Sequence, residues 1–200
     1  MARYGAKYLR WAKIASDADT KKFPTYENSV GLGPLVVVTD NIAYAEAKNY
    51  GDNELQENVN EFQQLTADVE MTEMPMESAS AVYGAKLDAA TGDLSYGKDD
   101  TAPDGGLAFY THKMVKENGV QKKYFQGVFY PCLTGSRQGT SYNTKSQSIT
   151  FANGKAHFVG KAAANGIFQH FSKNFETEAE AKTWVDALLP PAAAASAATE

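Results

Sequence analysis

The strongest constraint on the fold is a strict two-residue alternation between positions 65 and 71. Leu65, Ala67, Val69 and Met71 are apolar, whereas Thr66, Asp68 and Glu70 between them are polar or charged. Successive side chains of a strand point to opposite faces, so this pattern predicts a strand with one face on a core and the other wet. Upstream, the run Leu35, Val36, Val37, Val38 and Thr39 predicts a partner strand. Tyr50-Gly51-Asp52-Asn53 supplies turn chemistry between the two, because Gly tolerates positive φ and Asp and Asn bond their own backbone. Together they read as one long hairpin. A helix stays open as the alternative for residues 42–55, which hold several good helix formers.

The same region concentrates the negative charge. Asp40, Glu46, Asp52, Glu54, Glu57, Glu61, Asp68, Glu70, Glu73 and Glu77 face a single base, Lys48, while the rest of the chain has fourteen acids and eighteen bases. So sharp an asymmetry implies a surface that meets complementary copies of the chain, or one that keeps an anionic molecule from sticking.

The remaining elements follow from turns and periodicity. A first strand is expected over residues 6–14 and a polar loop over 16–22. A short helix should follow Pro75 and stop at Gly84, and residues 87–106 read as turns around a short strand at 94–96. The clearest hairpin spans residues 106–133 across Asn118-Gly119, since both central positions of a type I′ turn need positive φ. Residues 135–145 read as an exposed loop. Asn153-Gly154 and Asn165-Gly166 should join short strands at 148–151, 157–159 and 167–172. Thr177-Glu178-Ala179-Glu180 is a capping box opening a helix with one apolar stripe, Ala181, Trp184, Val185, Leu188 and Leu189. The fold class is therefore mainly β with one or two helices. Residues 1–189 are expected to form one domain, and residues 190–200 an Ala-rich, disordered tail.

Several function classes lose support. A lone Cys132 excludes a disulfide framework within one chain and reads as a small, half-buried hydrophobe. Basic residues at 3, 7, 10 and 13 break up the opening segment, which does not read as a signal peptide, and the longest aliphatic run, residues 35–38, is far short of a membrane span. His112, His157 and His170 lie in expected strands without metal-ligand spacing. Gly31-Leu32-Gly33 lacks the third glycine and the helix of a dinucleotide site, and Gly135-Ser136-Arg137-Gln138-Gly139 lacks the spacing of a nucleophile elbow. Carboxylate pairs such as Glu54 and Glu57 read as members of an acidic loop. Lys122-Lys123-Tyr124 is a lone basic cluster in an acidic chain. No catalytic constellation, cofactor motif or metal site emerges, so an enzyme is not expected.

An ordered set of segments carries a resemblance. Residues 4–12 (YGAKYLRWA), 50–55 (YGDNEL) with 59–62 (VNEF), 82–85 (VYGA), 100–107 (DTAPDGGL), the aromatic strand ending in Tyr130-Pro131, and 175–184 (FETEAEAKTW) occur in this order. The set resembles the major tail proteins, the tail-tube subunits of long-tailed, non-contractile bacteriophages, and covers the chain to about residue 189. Gly51 and Asn53 depart from the expected Ala and second Asp, so one turn carboxylate is missing. The Ala-rich tail lies outside the likeness, and no immunoglobulin-like addition is evident.

The resemblance implies a β-sandwich or partial barrel with a flanking helix, whose copies complete a ring-shaped inner β-barrel. Six copies would form a ring, and stacked rings a tube that conducts DNA. It implies a virion protein made in the bacterial cytoplasm. Its partners would be itself, tape measure, distal tail and tail terminator proteins, and passing double-stranded DNA bound without specificity. A wet acidic face suits such a bore, because like charge lets phosphates slide where a basic wall would hold them. Thr66, Asp68 and Glu70 are accordingly expected to face the lumen. Tyr44, Glu46, Lys48, Tyr50, Asp52, Asn53 and Glu54 are expected to form an intersubunit hairpin within residues 44–56. Lys7, Arg10 and Lys13 are its expected basic partners, which would make assembly salt-sensitive. The competing readings are a β-sandwich module that binds carbohydrate or a cell surface, and the tube subunit of a contractile or secretion system.

Overall fold

A computed structural model describes residues 2–51, 54–140 and 152–192. The described chain is mainly β, with 58% strand and two helices. In chain order the elements are β1 (Ala2–Ser16), β2 (Thr25–Tyr26), β3 (Val30–Gly31), β4 (Leu35–Gly51), β5 (Glu54–Met71), α1 (Met76–Tyr83), β6 (Lys86–Leu87) and β7 (Leu94–Ser95). They continue with β8 (Asp104–Glu117), β9 (Val120–Arg137), β10 (Gly154–Gly160), β11 (His170–Phe175) and α2 (Glu178–Leu188). Nine strands form one antiparallel sheet in the order β2-β1-β8-β9-β10-β5-β4. In addition β3 pairs with β1 and β11 with β9, while β6 and β7 make a separate pair. The sheet is large but not closed into a barrel.

The centre of the sheet is the β8–β9 hairpin. Asn118 and Gly119 at its turn have φ of 51° and 84°, the left-handed pair that a two-residue turn requires. Both of its faces are covered, which explains why its sequence is apolar almost without alternation. On one face Leu107, Phe109, Val128 and Tyr130 join Trp11 of β1, Leu65, Ala67, Val69 and Met71 of β5, and Val82 of α1. On the other, Ala108, Tyr110, Phe125 and Phe129 meet Phe175 of β11 and Ala181, Val185 and Leu189 of α2. Each fully buried large side chain in these clusters contributes about 1.5–3 kcal/mol. α1 thus fills the inside of the curled sheet. α2 covers the β1–β8–β9 half of the outside, and among the described residues no element covers the β10–β5–β4 half.

Two glycines permit close approach. A Cβ on Gly127 would lie 2.2 Å from the Trp184 ring, and one on Gly105 would lie 2.4 Å from that of Trp11. α2 is further fixed by the expected capping box, with the Glu180 amide donating to the Thr177 hydroxyl at 3.3 Å and the Thr177 amide to the Glu180 carboxylate at 3.1 Å. The Tyr110 hydroxyl donates to Glu178, and that of Tyr8 to Asp186 at 2.8 Å. The bond from Tyr110 is the main reason the Glu178 carboxyl titrates below its ordinary value of 4.5, with Lys7 adding to it.

Several expectations are corrected. The long hairpin is as expected, and the helix left open for residues 42–55 is excluded over 42–51, which are strand. β1 is longer than residues 6–14 and carries irregularities at Gly5 and Tyr8, whose φ values are 60° and 59°. β2, β3 and β6 are additional elements. β9 continues to Arg137, into the stretch read as a loop, and the 148–151 strand lies outside the described residues. Gly166 does make a turn, with φ of 77°, but the strand after it starts at His170 rather than 167. Cys132 is fully rather than half buried, and burial pushes its thiol up to about 11. The tail does not leave the body at Pro190: its carbonyl accepts from the Ser29 amide at 2.7 Å, and Pro191 bridges Ser29 in parallel.

Two outcomes follow for α2. Gly127→Ala should force Trp184 outward and cost about 1–3 kcal/mol, read as a lowered midpoint in urea. Glu178 has a depressed folded-state pKa, so its stabilisation is complete above about pH 4.5 and is lost as pH falls through the folded value. Glu178→Gln should therefore be less stable than the parent at neutral pH, with the gap closing in acid. An unchanged gap at pH 3 would show that the carboxylate is not the contributing group.

Candidate assembly surface

β5 splits into two parts with different surroundings. From Leu65 to Met71 it lies between β10 and β4, and its alternation places the apolar set on the core. Thr66, Asp68 and Glu70 fall on the opposite, bare face, as the period requires. Register places Asn41, Thr39 and Val37 of β4 and Val159, His157 and Lys155 of β10 on that same face. The Asp68 carboxylate lies 2.8 Å from His157 Nδ1 and accepts from Gln138 Nε2 at 3.1 Å. Glu70 accepts from Asn153 Nδ2 at 2.7 Å. The face is therefore a mixed polar strip in which His157 stands beside Asp68 and Lys155 beside Glu70. Asp68 is 58% exposed, so its pairing with His157 adds little to stability.

Beyond Ile42 and Leu65 the same two strands leave the body as an arm. Ala43 pairs with Gln64 but Tyr44 pairs with Phe62, which leaves Gln63 as an extra residue at the root. Such a bulge bends a ribbon and raises its twist. Every described side chain at residues 44–49 and 57–61 is exposed. At about 3.3 Å per residue the arm is about 25 Å long. Of its expected hairpin residues, Tyr44, Glu46 and Lys48 lie on one exposed face, with Glu46 and Lys48 paired at 2.9 Å. Tyr50 and Glu54 belong to the paired strands, and Asp52 and Asn53 lie outside the described residues.

The arm is braced only at its root. Phe62 stacks on Phe168 with centroids 4.1 Å apart and planes 8° from parallel, and Tyr44 meets Phe62 edge-on. Phe168 sits in the β10–β11 connection, far away in sequence, and no local signal could have found this contact. The three expected basic partners already have contacts within the chain. Lys7 lies 3.7 Å from Glu178, Lys13 lies 3.0 Å from Glu27, and the Arg10 guanidinium covers the Tyr8 ring at 5.0 Å and donates to its hydroxyl. The two ion pairs are half-exposed and weak, and they do not gather the three cations into a patch.

The sheet also ends in unpaired backbone. Among the described residues β4 pairs along its whole length with β5 alone, and β5 beyond Leu65 pairs with β4 alone. Exposed Val36 and Val37 flank that edge. A long exposed edge with β-branched residues invites another strand. Among the described residues no three His, Cys, Asp or Glu side chains gather to hold a metal ion. No protein-family model matches the chain, and no significant match to a curated protein is found.

If the aromatic brace sets the arm's direction, Phe168→Ala should loosen the arm without unfolding the body. The expected result is much faster amide exchange at residues 44–51 and 54–62, with protection in β8 and β9 falling only by the roughly fivefold that a global loss of about 1 kcal/mol entails. Equal protection in the arm before and after would show that the stack does not hold it.

Proposed function

We propose that the chain is a tail-tube subunit of a long-tailed, non-contractile bacteriophage, which oligomerises into stacked hexameric rings around a channel for DNA. One observation supports this most: β4 offers an unpaired edge that runs directly into an uncovered two-stranded arm. An isolated two-stranded ribbon is at best marginally stable in water, and an unguarded edge of this length is a liability in a monomer. Both features make sense in a protein whose neighbours supply the missing strands, so that the copies together complete an inner barrel.

In this reading the bare β10–β5–β4 face lines the bore, with Thr66, Asp68 and Glu70 toward the DNA. A surface of alternating acids, hydroxyls and a few bases offers a duplex no continuous cationic track. It would release few counterions on contact and bind weakly. The role is structural rather than catalytic. The arm reaches a neighbouring copy, and the tape measure, distal tail and tail terminator proteins would fix where the tube starts and how long it grows.

Negative-stain electron microscopy over a range of protein concentrations tests this. Hollow rings or tubes of uniform bore are the expected result. A monomer that stays monomeric at high concentration, and that remains inert with a tail-tip initiator complex, would overturn the proposal and favour a β-sandwich binding module.

A further inference from the structure

Where the curled sheet fails to close, the first residues of β1 face the first residues of β4 across a groove of about 320 Å³. Its walls include Val36 and Val38 from β4, Phe109 from β8, Val128 from β9 and Phe171 from β11, and Arg3 stands at its rim. Tyr4, Val36, Val37 and Phe171 all line it while remaining between 37% and 49% exposed, so the groove is a gap in the apolar surface rather than a filled seam. The β4 backbone beside it is unpaired on that edge.

Arg3 is the cation among the lining residues, and Lys113 stands next to it on β8, outside the lining. Arg3 and Lys113 are register partners on neighbouring strands, so their side chains share a face and begin about 5 Å apart. The Arg3 guanidinium lies 4.6 Å above the Phe171 ring, and Lys113 donates to the Asn174 side chain at 3.2 Å. Asp40 is the only acid among the lining residues. One of its oxygens already accepts from the Tyr130 hydroxyl at 2.9 Å and from Gln169 Nε2 at 2.8 Å.

The arm carries the complementary pattern. Glu57, Val59 and Glu61 alternate along one face of β5, and Val59 is 49% exposed between the two acids. β5 is unpaired on one side here, so its backbone is available for strand addition. The chain cannot satisfy itself. Val59 pairs with Ala47, nine residues along β4 from Val38 and therefore about 30 Å away, and folding back would break the ladder.

We propose that the seam groove receives the arm of a second copy of this chain, with Val59 against the Val36–Phe171 walls and Glu57 and Glu61 meeting Arg3 and Lys113. This rests on the reading that the chain assembles with itself, and it names the two surfaces that meet. The apolar contact gives the guest strand its position. The charge pairs set its direction and speed its capture at low salt.

Intermolecular disulfide trapping tests the contact without requiring a tube. Separately purified Val59→Cys and Phe171→Cys proteins are mixed under mild oxidation, with Val36→Cys as an independent wall position should the Phe171 variant fold poorly. Cys132, 2% exposed, does not compete. A cross-linked product well above that of a Val59→Cys and Val120→Cys control pair is expected, because Val120 sits at the exposed β8–β9 turn, off the groove. Combining Glu57→Lys and Glu61→Lys on the arm should lower the yield at least about tenfold, and Arg3→Glu with Lys113→Glu on the groove copy should restore it. Yield no higher than in the control pair at both wall positions overturns the inference. Trapped pairs with no rings in the microscope, even with a tail-tip initiator complex, would sink the tube reading and leave this contact standing, whereas tubes without trapping would do the reverse.

Discussion

The two-sided burial of the β8–β9 hairpin is the interaction on which everything else depends. Each strand must supply apolar side chains to both faces, one set to the core closed by α1 and one to the core beneath α2. A pair of strands committed in this way cannot shift by one residue without exchanging the two sets, so its register is firmly fixed. The turn at Asn118 and Gly119 reinforces that register from the end. β1 on one side and β10 and β11 on the other then pair with a template that has already been decided. The long β4–β5 pair is attached last, through β10, and only its inner half shares in the core.

That arrangement divides the molecule by the way its parts are stabilised. Near β8 and β9 a residue is held by contacts on every side, and Gly105 and Gly127 show how tight they are: an added methyl group would strike an indole ring at each. Toward the tip of the β4–β5 arm a residue is held by its cross-strand partner alone. Local stability follows the number of such contacts, so opening should cost least in the arm and most at the central hairpin. Elements that change partners come from the weakly held end by necessity, because they must leave water for a new surface at small cost.

Legibility in the sequence follows the same division. The central turn, the α2 capping box and the 65–71 alternation were readable because each is a local pattern with a local cause. β2, β3 and β6 were not, because two-residue strands have no periodicity and exist only where a larger neighbour offers an edge. The irregularities at Gly5 and Tyr8 have no composition cue at Tyr8, a residue that seldom takes a positive φ. At the candidate surface the acids at 66–70 were assigned to the wet face correctly, since period two demands it. Their hydrogen-bond partners were missed because Asp68 and His157 are 89 residues apart and meet only through register. Lys7, Arg10 and Lys13, expected to meet a neighbour's hairpin, each have a contact within the chain, to Glu178, Tyr8 and Glu27, that no local pattern signalled.

The charge of the chain can then be read against its geometry. In the proposed tube a subunit needs attraction between copies, and a wall that passes a polyanion needs the absence of it. Both demands fall on one strand pair here, because β5 carries acids along the arm as well as along the bare face. The two sets differ in what stands beside them. On the bare face Lys155 lies one strand away and moderates the field, which in the proposed tube would leave a surface that neither grips a duplex nor strongly repels it. On the arm Lys48 pairs with Glu46 and leaves Glu57 and Glu61 on the other face, with no cation among their cross-strand partners. Unmoderated like charges on a narrow ribbon keep the arms of two copies apart, while an apolar groove with Arg3 at its rim remains open to either. If the arm docks as proposed, the same acids discourage arm-to-arm aggregation and favour arm-to-groove contact, and a single residue type serves both without any change of fold.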